Sequence, residues 1–151
     1  MCLVFGLQVS AFAQQPWFEL RNLDMEWITY EEVKGETLTI IDFWATWCQP
    51  CLRSIPELND LYLEFRDQGV GFVGISIDGP RNQSKLKPFV NSLGVEYPIA
   101  RDINSEVMSE MNVYAVPTLL ILDQQGELVF IHEGFRPGDD HIIREKIKEY
   151  L

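Results

Sequence analysis

Apolar residues fall along the chain in two rhythms, unbroken runs and positions three or four apart. Leu38 to Trp44 (Leu-Thr-Ile-Ile-Asp-Phe-Trp) and Val70 to Ile77 are of the first kind. Such runs predict parallel strands covered on both faces. Leu52, Ile55, Leu58, Leu61, Tyr62 and Phe65 are of the second kind and predict the apolar face of a helix from Pro50 to Arg66, ended by Gln68-Gly69. A further helix carries Leu86, Phe89, Val90 and Leu93 and ends at Gly94. Pro88 fits only near its first turn, because proline has no N–H for a helix interior. A short strand is expected from Tyr97 to Ala100, then a short helix through Met111 capped by Asn104 or Ser105. Thr118 to Leu122 and Leu128 to His132 read as antiparallel strands joined by Asp123-Gln124-Gln125-Gly126. Asp139 or Asp140 caps a last helix whose Ile142, Ile143, Ile147 and Leu151 are expected to face the core. Ahead of all this, Phe18 to Thr29 reads as a β-hairpin around Asn22-Leu23-Asp24, and Tyr30 to Gly35 as one helical turn closed by glycine. The sum is an α/β fold with a mixed central sheet and helices on both faces.

Length adds that this is one domain: 151 residues, with no internal repeat and no linker. Twelve basic residues against 23 acidic ones give a formal charge of −11, which argues against nucleic acid and against anionic membrane surfaces as partners. No apolar run reaches the roughly 18 residues of a membrane span. Met1 to Ala13 (MCLVFGLQVSAFA) is uncharged and apolar and ends in the small-x-small pattern Ala11-Phe12-Ala13. It is expected to be an export signal cleaved before Gln14, leaving residues 14–151 as the domain, although no basic residue precedes Arg21. The alternative is a short apolar strand packed on the domain.

Three cysteines exclude a disulfide scaffold. Loss of Cys2 with the signal would leave Cys48 and Cys51 in Trp47-Cys48-Gln49-Pro50-Cys51, after a buried strand and at the start of a helix. Their spacing puts both thiols on one helix face, near enough to bridge. Cys48 lies where free backbone N–H groups and the positive end of the helix dipole stabilise a thiolate, the nucleophilic form. Cys51, one turn in, is expected to be buried and to resolve a mixed disulfide. Pro50 suits a first turn, where its missing N–H would have no partner. A tetrahedral zinc site would need His132 and His141 as further ligands, and neither has finger-like spacing. A static bridge over so short a loop restrains little chain entropy. Two thiolates alone make a thin copper site.

The stretch Ile41-Asp42-Phe43-Trp44-Ala45-Thr46-Trp47-Cys48-Gln49-Pro50-Cys51 resembles the active-site region of thioredoxin-fold proteins. Pro56 resembles the family's helix-kinking proline, and Val116-Pro117-Thr118 its cis-proline loop. The longer segment from Gly74 to Met111, and Val129 to Gly138, resemble the exported branch related to TlpA and ResA, with an N-terminal hairpin and an inserted helix and strand. The resemblance implies a thioredoxin fold and thiol-disulfide exchange with client proteins, with no cofactor. It implies that Val116 and a cis Pro117 offer backbone to an extended client beside the thiols. It makes Asp42, inside an apolar strand, the proton acceptor behind Cys51, where burial should raise its pKa. A partnered structural carboxylate is the alternative for Asp42. Trp47 is expected to form a wall beside Cys48, or else to pack the strand–helix corner. Ser54 stands where some exported reductases carry Glu. The branch favours reduction in the periplasm, for instance of cysteines awaiting haem, with recharging by a membrane thiol donor. Two other readings are a thioredoxin-fold binding or metal-delivery module without turnover, and a thiol peroxidase. For the peroxidase, Thr46 stands two residues before Cys48 rather than the expected three. His132 is read as a strand residue rather than a base, and Met108 and Met111 as core.

Overall fold

The computed structural model describes residues 18–151, so the expected signal lies outside the described residues. Its spine is β3 (Leu38–Trp44), buried along its whole length. It runs parallel to β4 (Val70–Ser76), with Asp42 opposite Gly74, and antiparallel to β6 (Thr118–Asp123), with Asp42 opposite Leu119. The seven-stranded mixed sheet has the order β2-β1-β5-β4-β3-β6-β7. Here β1 is Glu19–Asn22, β2 is Trp27–Thr29, β5 is Ile99–Arg101 and β7 is Leu128–Glu133. The fold is the thioredoxin-like one expected, with the hairpin β1-β2 joined to the inserted strand β5.

Alternation along β3 supplies two cores. Leu38, Ile40 and Trp44 face α2 (Gln49–Phe65), α3 (Gln83–Leu93) and α5 (Asp139–Lys148), which contribute Ile55, Leu58, Leu61, Leu86, Val90, Ile143 and Ile147. Ile41 and Phe43 face Tyr30 and Val33 of α1 (Tyr30–Val33) and Val107 and Met108 of α4 (Glu106–Glu110). The edge strand β7 is broken by a register shift between Ile121 and Leu122 of its partner β6.

Several local expectations are corrected. Pro88 stands inside α3 rather than in its first turn. It lies on the exposed face with Ser84, where the helix bond that a proline cannot donate is lost at the surface rather than in the core. Neither Asn104 nor Ser105 caps α4. The buried carboxylate of Asp102 accepts from the N–H groups of Glu106, Val107 and Met108 instead. Gly138 holds the cap position of α5, and Asp139 accepts from the Arg136 N–H and bonds His132. Ile143 and Ile147 are buried, but Ile142 and Leu151 are half exposed, because the face that meets α2 is narrower than the apolar stripe.

Gly35 closes α1 for a reason other than backbone handedness. It abuts Gly71 so closely that a Cβ on Gly71 would stand 2.2 Å from the Val33 carbonyl oxygen and 2.5 Å from the Gly35 nitrogen. Gly79 has nothing within 4 Å of its Cβ direction. Gly71→Ala is therefore expected to cost about 3 kcal/mol in urea unfolding of the oxidised protein, and Gly79→Ala to stay within about 1 kcal/mol of the parent. Equal effects of the two would refute this account of the contact.

Candidate active site

The parallel pair β3-β4 ends at Trp44 and Ser76, and the chain crosses Ala45-Thr46-Trp47 to enter α2. Cys48 is the N-cap of α2 in extended conformation, with Pro50 in the first turn. The first turn of a helix has N–H groups without intrahelical partners. One of them, on Cys51, donates to Cys48 Sγ at 3.3 Å. The same amide would stabilise negative charge on Cys48 once the pair is reduced. The two sulfurs are bonded, with an S–S distance of 2.14 Å and Cα atoms 5.3 Å apart. Both sulfurs are buried in the bridged form, Cys48 at 5% exposure and Cys51 fully covered.

The rim is apolar and open. Trp47 is 59% exposed, which favours a wall beside Cys48 over corner packing. Trp44, two residues earlier, is fully buried. Pro50 is half-buried and Gln49 exposed. The Val116–Pro117 peptide is cis. Pro117 is buried and its carbonyl accepts from the Gly134 N–H, while Val116 is half-buried. Among the described residues no hydrogen bond engages the Val116 backbone, which leaves it open to an incoming strand. The residue-by-residue reading missed Tyr114, 82% exposed in the same loop. An aromatic three residues before a loop proline was the signal available.

Asp42 lies on the α2 face of the sheet, since it alternates with Ile41 and Phe43 and shares its side with Ile40 and Trp44. It is 3% exposed, among the described residues its Oδ2 has no hydrogen-bond partner, and burial pushes its pKa up to about 8. The partnered alternative is thus not what the structure shows. Two more buried polar atoms without partners among the described residues, Trp44 Nε1 and Tyr97 Oη, surround the same place. A Cβ on Gly74, opposite Asp42, would lie 3.2 Å from that indole nitrogen and 3.0 Å from the Tyr97 ring. Burial also raises the Tyr97 hydroxyl well above its ordinary value, with the Asp42 charge adding to the effect.

Thr46 is engaged: its hydroxyl donates to Asp78 Oδ1 at 2.5 Å and its N–H to Oδ2 at 3.0 Å. Ser54 donates to the Cys51 carbonyl. His132 is held by Asp139 at 2.9 Å and His141 is exposed on α5. Among the described residues no group of three or more His, Cys, Asp or Glu is arranged to hold a metal ion. None of their helices is long and apolar enough to cross a membrane.

Residues 13–131 match the AhpC/TSA family. The chain is 30% identical over 138 residues to the thiol-disulfide oxidoreductase ResA of Bacillus thuringiensis (strain Al Hakam), covering 91% of this chain and 72% of that protein. A solved structure from Chlorobium tepidum, assigned as the thiol:disulfide interchange protein DsbE, superposes with a TM-score of 0.82 at 25% identity, covering 90% of this chain and 94% of the other. An uncharacterized thioredoxin-like protein from Porphyromonas gingivalis gives 0.74 at 31% identity, covering 92% of each chain.

The Asp42 carboxyl has a testable thermodynamic signature. Its folded pKa of about 8 lies above the ordinary 3.8, so the folded state holds the proton more tightly than the unfolded one. Its favourable contribution is complete below pH about 4 and is lost as pH rises through about 8, a fall of a few kcal/mol. Comparing urea unfolding of the oxidised parent and Asp42→Asn at pH 5 and pH 8 isolates this group. The parent should lose more stability than the variant on going to pH 8. Parallel losses would contradict a buried, unpartnered carboxyl.

Proposed function

This chain belongs to the AhpC/TSA family of thioredoxin-fold proteins and is a thiol-disulfide oxidoreductase, and from that premise we propose that it reduces client protein disulfides outside the cytoplasm through Cys48 and Cys51. The observation that carries the reading is the Cys48–Cys51 bridge at the open N-terminus of α2, its outer sulfur beside Trp47.

In the reducing direction the Cys48 thiolate attacks one sulfur of a client disulfide, and the other client sulfur leaves as a thiolate. The ionised fraction of Asp42 takes the proton of Cys51, whose sulfur then attacks Cys48 Sγ and releases the second client thiolate. The client gains two electrons and the protein ends in the bridged form seen here. A carboxyl with a pKa of about 8 is close in proton affinity to an ordinary thiol near 8.5, so the transfer costs little. Trp47, Pro50 and Tyr114 offer the client an apolar rim, and the free Val116 backbone beside Pro117 holds it as an added strand.

Export is supported by the uncharged apolar start and its small-x-small end. In that setting the protein must be recharged, and a membrane thiol donor fits the chemistry. Clients with cysteines awaiting haem fit a reductant of this branch. The peroxidase reading is disfavoured by the Thr46 hydroxyl, which is committed to Asp78 rather than free to polarise a peroxide.

In the native compartment, Cys51→Ser should accumulate stable mixed disulfides between Cys48 and client proteins, visible as adducts that collapse on reduction. Cys48→Ser should give none. Equal adducts from both variants, or none from Cys51→Ser, would sink the proposed roles.

A further inference from the structure

The turn before Cys48 is tied into the body of the protein by a carboxylate that the exchange chemistry leaves unused. Asp78 lies just beyond β4, is fully buried, and among the described residues has no cationic partner. Its charge is met by hydrogen-bond donors instead. Thr46 donates twice, from its N–H at 3.0 Å and its hydroxyl at 2.5 Å. The Ser76 hydroxyl donates at 2.8 Å and the Asn82 amide at 3.4 Å. The Asp78 main chain is held too, because the Gln83 amide donates to its carbonyl at 2.5 Å.

The chain of contacts continues outward. Gln83 accepts twice from Arg101, through its main-chain carbonyl at 3.1 Å and its side-chain oxygen at 3.0 Å. The rest of the buried Arg101 guanidinium donates to the carbonyls of Asn22 and Leu23 at 3.0 and 2.9 Å. A continuous polar path thus runs from the N-terminal hairpin, through the inserted strand and helix, to the residue two places before the attacking cysteine.

We propose that Asp78 is a positioning residue for Cys48, and that the hairpin and the inserted segment act on the reaction through it. The physical reason lies in what Cys48 must do. Its sulfur has to stay within reach of the Cys51 amide while bonding alternately to a client and to Cys51. Cys48 is anchored backward by its own N–H to the Ala45 carbonyl. Thr46 lies within that turn, so fixing Thr46 fixes where the turn delivers the sulfur. Hydrogen bonds to a charged acceptor are stronger than neutral ones and suit this task. The inference rests on the oxidoreductase reading above.

The test compares the parent, Asp78→Asn and Thr46→Val, all as full chains in the reduced state. Asp78→Asn exchanges an acceptor oxygen for a donor and removes the charge. Thr46→Val removes one bond and leaves the charge in place. Positioning predicts that both variants lose about tenfold in kcat/KM for a disulfide substrate. It also predicts that both raise the pH midpoint of Cys48 alkylation, read by mass spectrometry of the Cys48 peptide. A lowered midpoint in Asp78→Asn with no change in Thr46→Val would mean that Asp78 acts only through its charge, which overturns the proposal. No change in either variant overturns it as well. Should Asp78→Asn fail to fold, Thr46→Val decides alone. A parent without disulfide turnover would instead remove the oxidoreductase reading, while the alkylation midpoints would still report on positioning.

Discussion

The complete burial of β3 is the constraint on which the rest of the molecule depends. A strand paired on both edges and covered on both faces has nowhere to move, so its C-terminal end is a fixed point from which a reactive turn can be presented. That immobility makes the unpaired first turn of α2 useful. The amides there act on the cysteine sulfur because the turn arrives in one place. The same burial gives the site its second property. A carboxyl inserted into such a strand has no water to charge against, so Asp42 holds its proton into the neutral range. Position and proton affinity at this site therefore have one source, the sheet's closure around its central strand.

The reactive part of the molecule was readable from the chain because its signals are local. The apolar run of β3, the three-and-four spacing of α2 and the cysteine pair at their junction all lie within 28 consecutive positions, from Leu38 to Phe65. Asp42 stood out for the same reason, a charge inside an apolar run. The cis geometry at Pro117 came from resemblance, since a proline residue does not announce its isomer. What was hidden depends on residues far apart in sequence. Asp78 meets Thr46 across 32 positions and Arg101 meets Asn22 across 79. Periodicity carries no information at that range. The α4 cap was misread because cap preferences point to the residue next to the helix. Here an aspartate four residues before the first helical residue folds back to do the task, with Ser105 in a left-handed conformation between them. Gly71 was invisible for a related reason, because its glycine is required by the main chain of residues 33–35, far away in sequence.

The additions to the basic fold have a common logic. The hairpin β1-β2 and the segment carrying α3 and β5 extend the sheet on the side of β4. Their buried arginine is satisfied by carbonyl oxygens, so it joins strands and helix without a matching carboxylate. Such a junction has no ion pair to break with salt, and it binds three separate stretches of chain by donors held in a rigid plane.

The register shift beside Ile121 bears on the company this protein keeps. A molecule proposed to offer a free stretch of main chain to clients runs the risk of offering others by accident. Open sheet edges are the obvious hazard, since any extended chain will pair with them. At one edge the irregularity in β7 spoils the even row of donors and acceptors that a passing strand would need. At the other, β2 is only three residues long and runs straight into α1. With both edges blunted in this way, the main chain at Val116, where the proposed function docks a client, has less competition from the sheet edges for a passing strand.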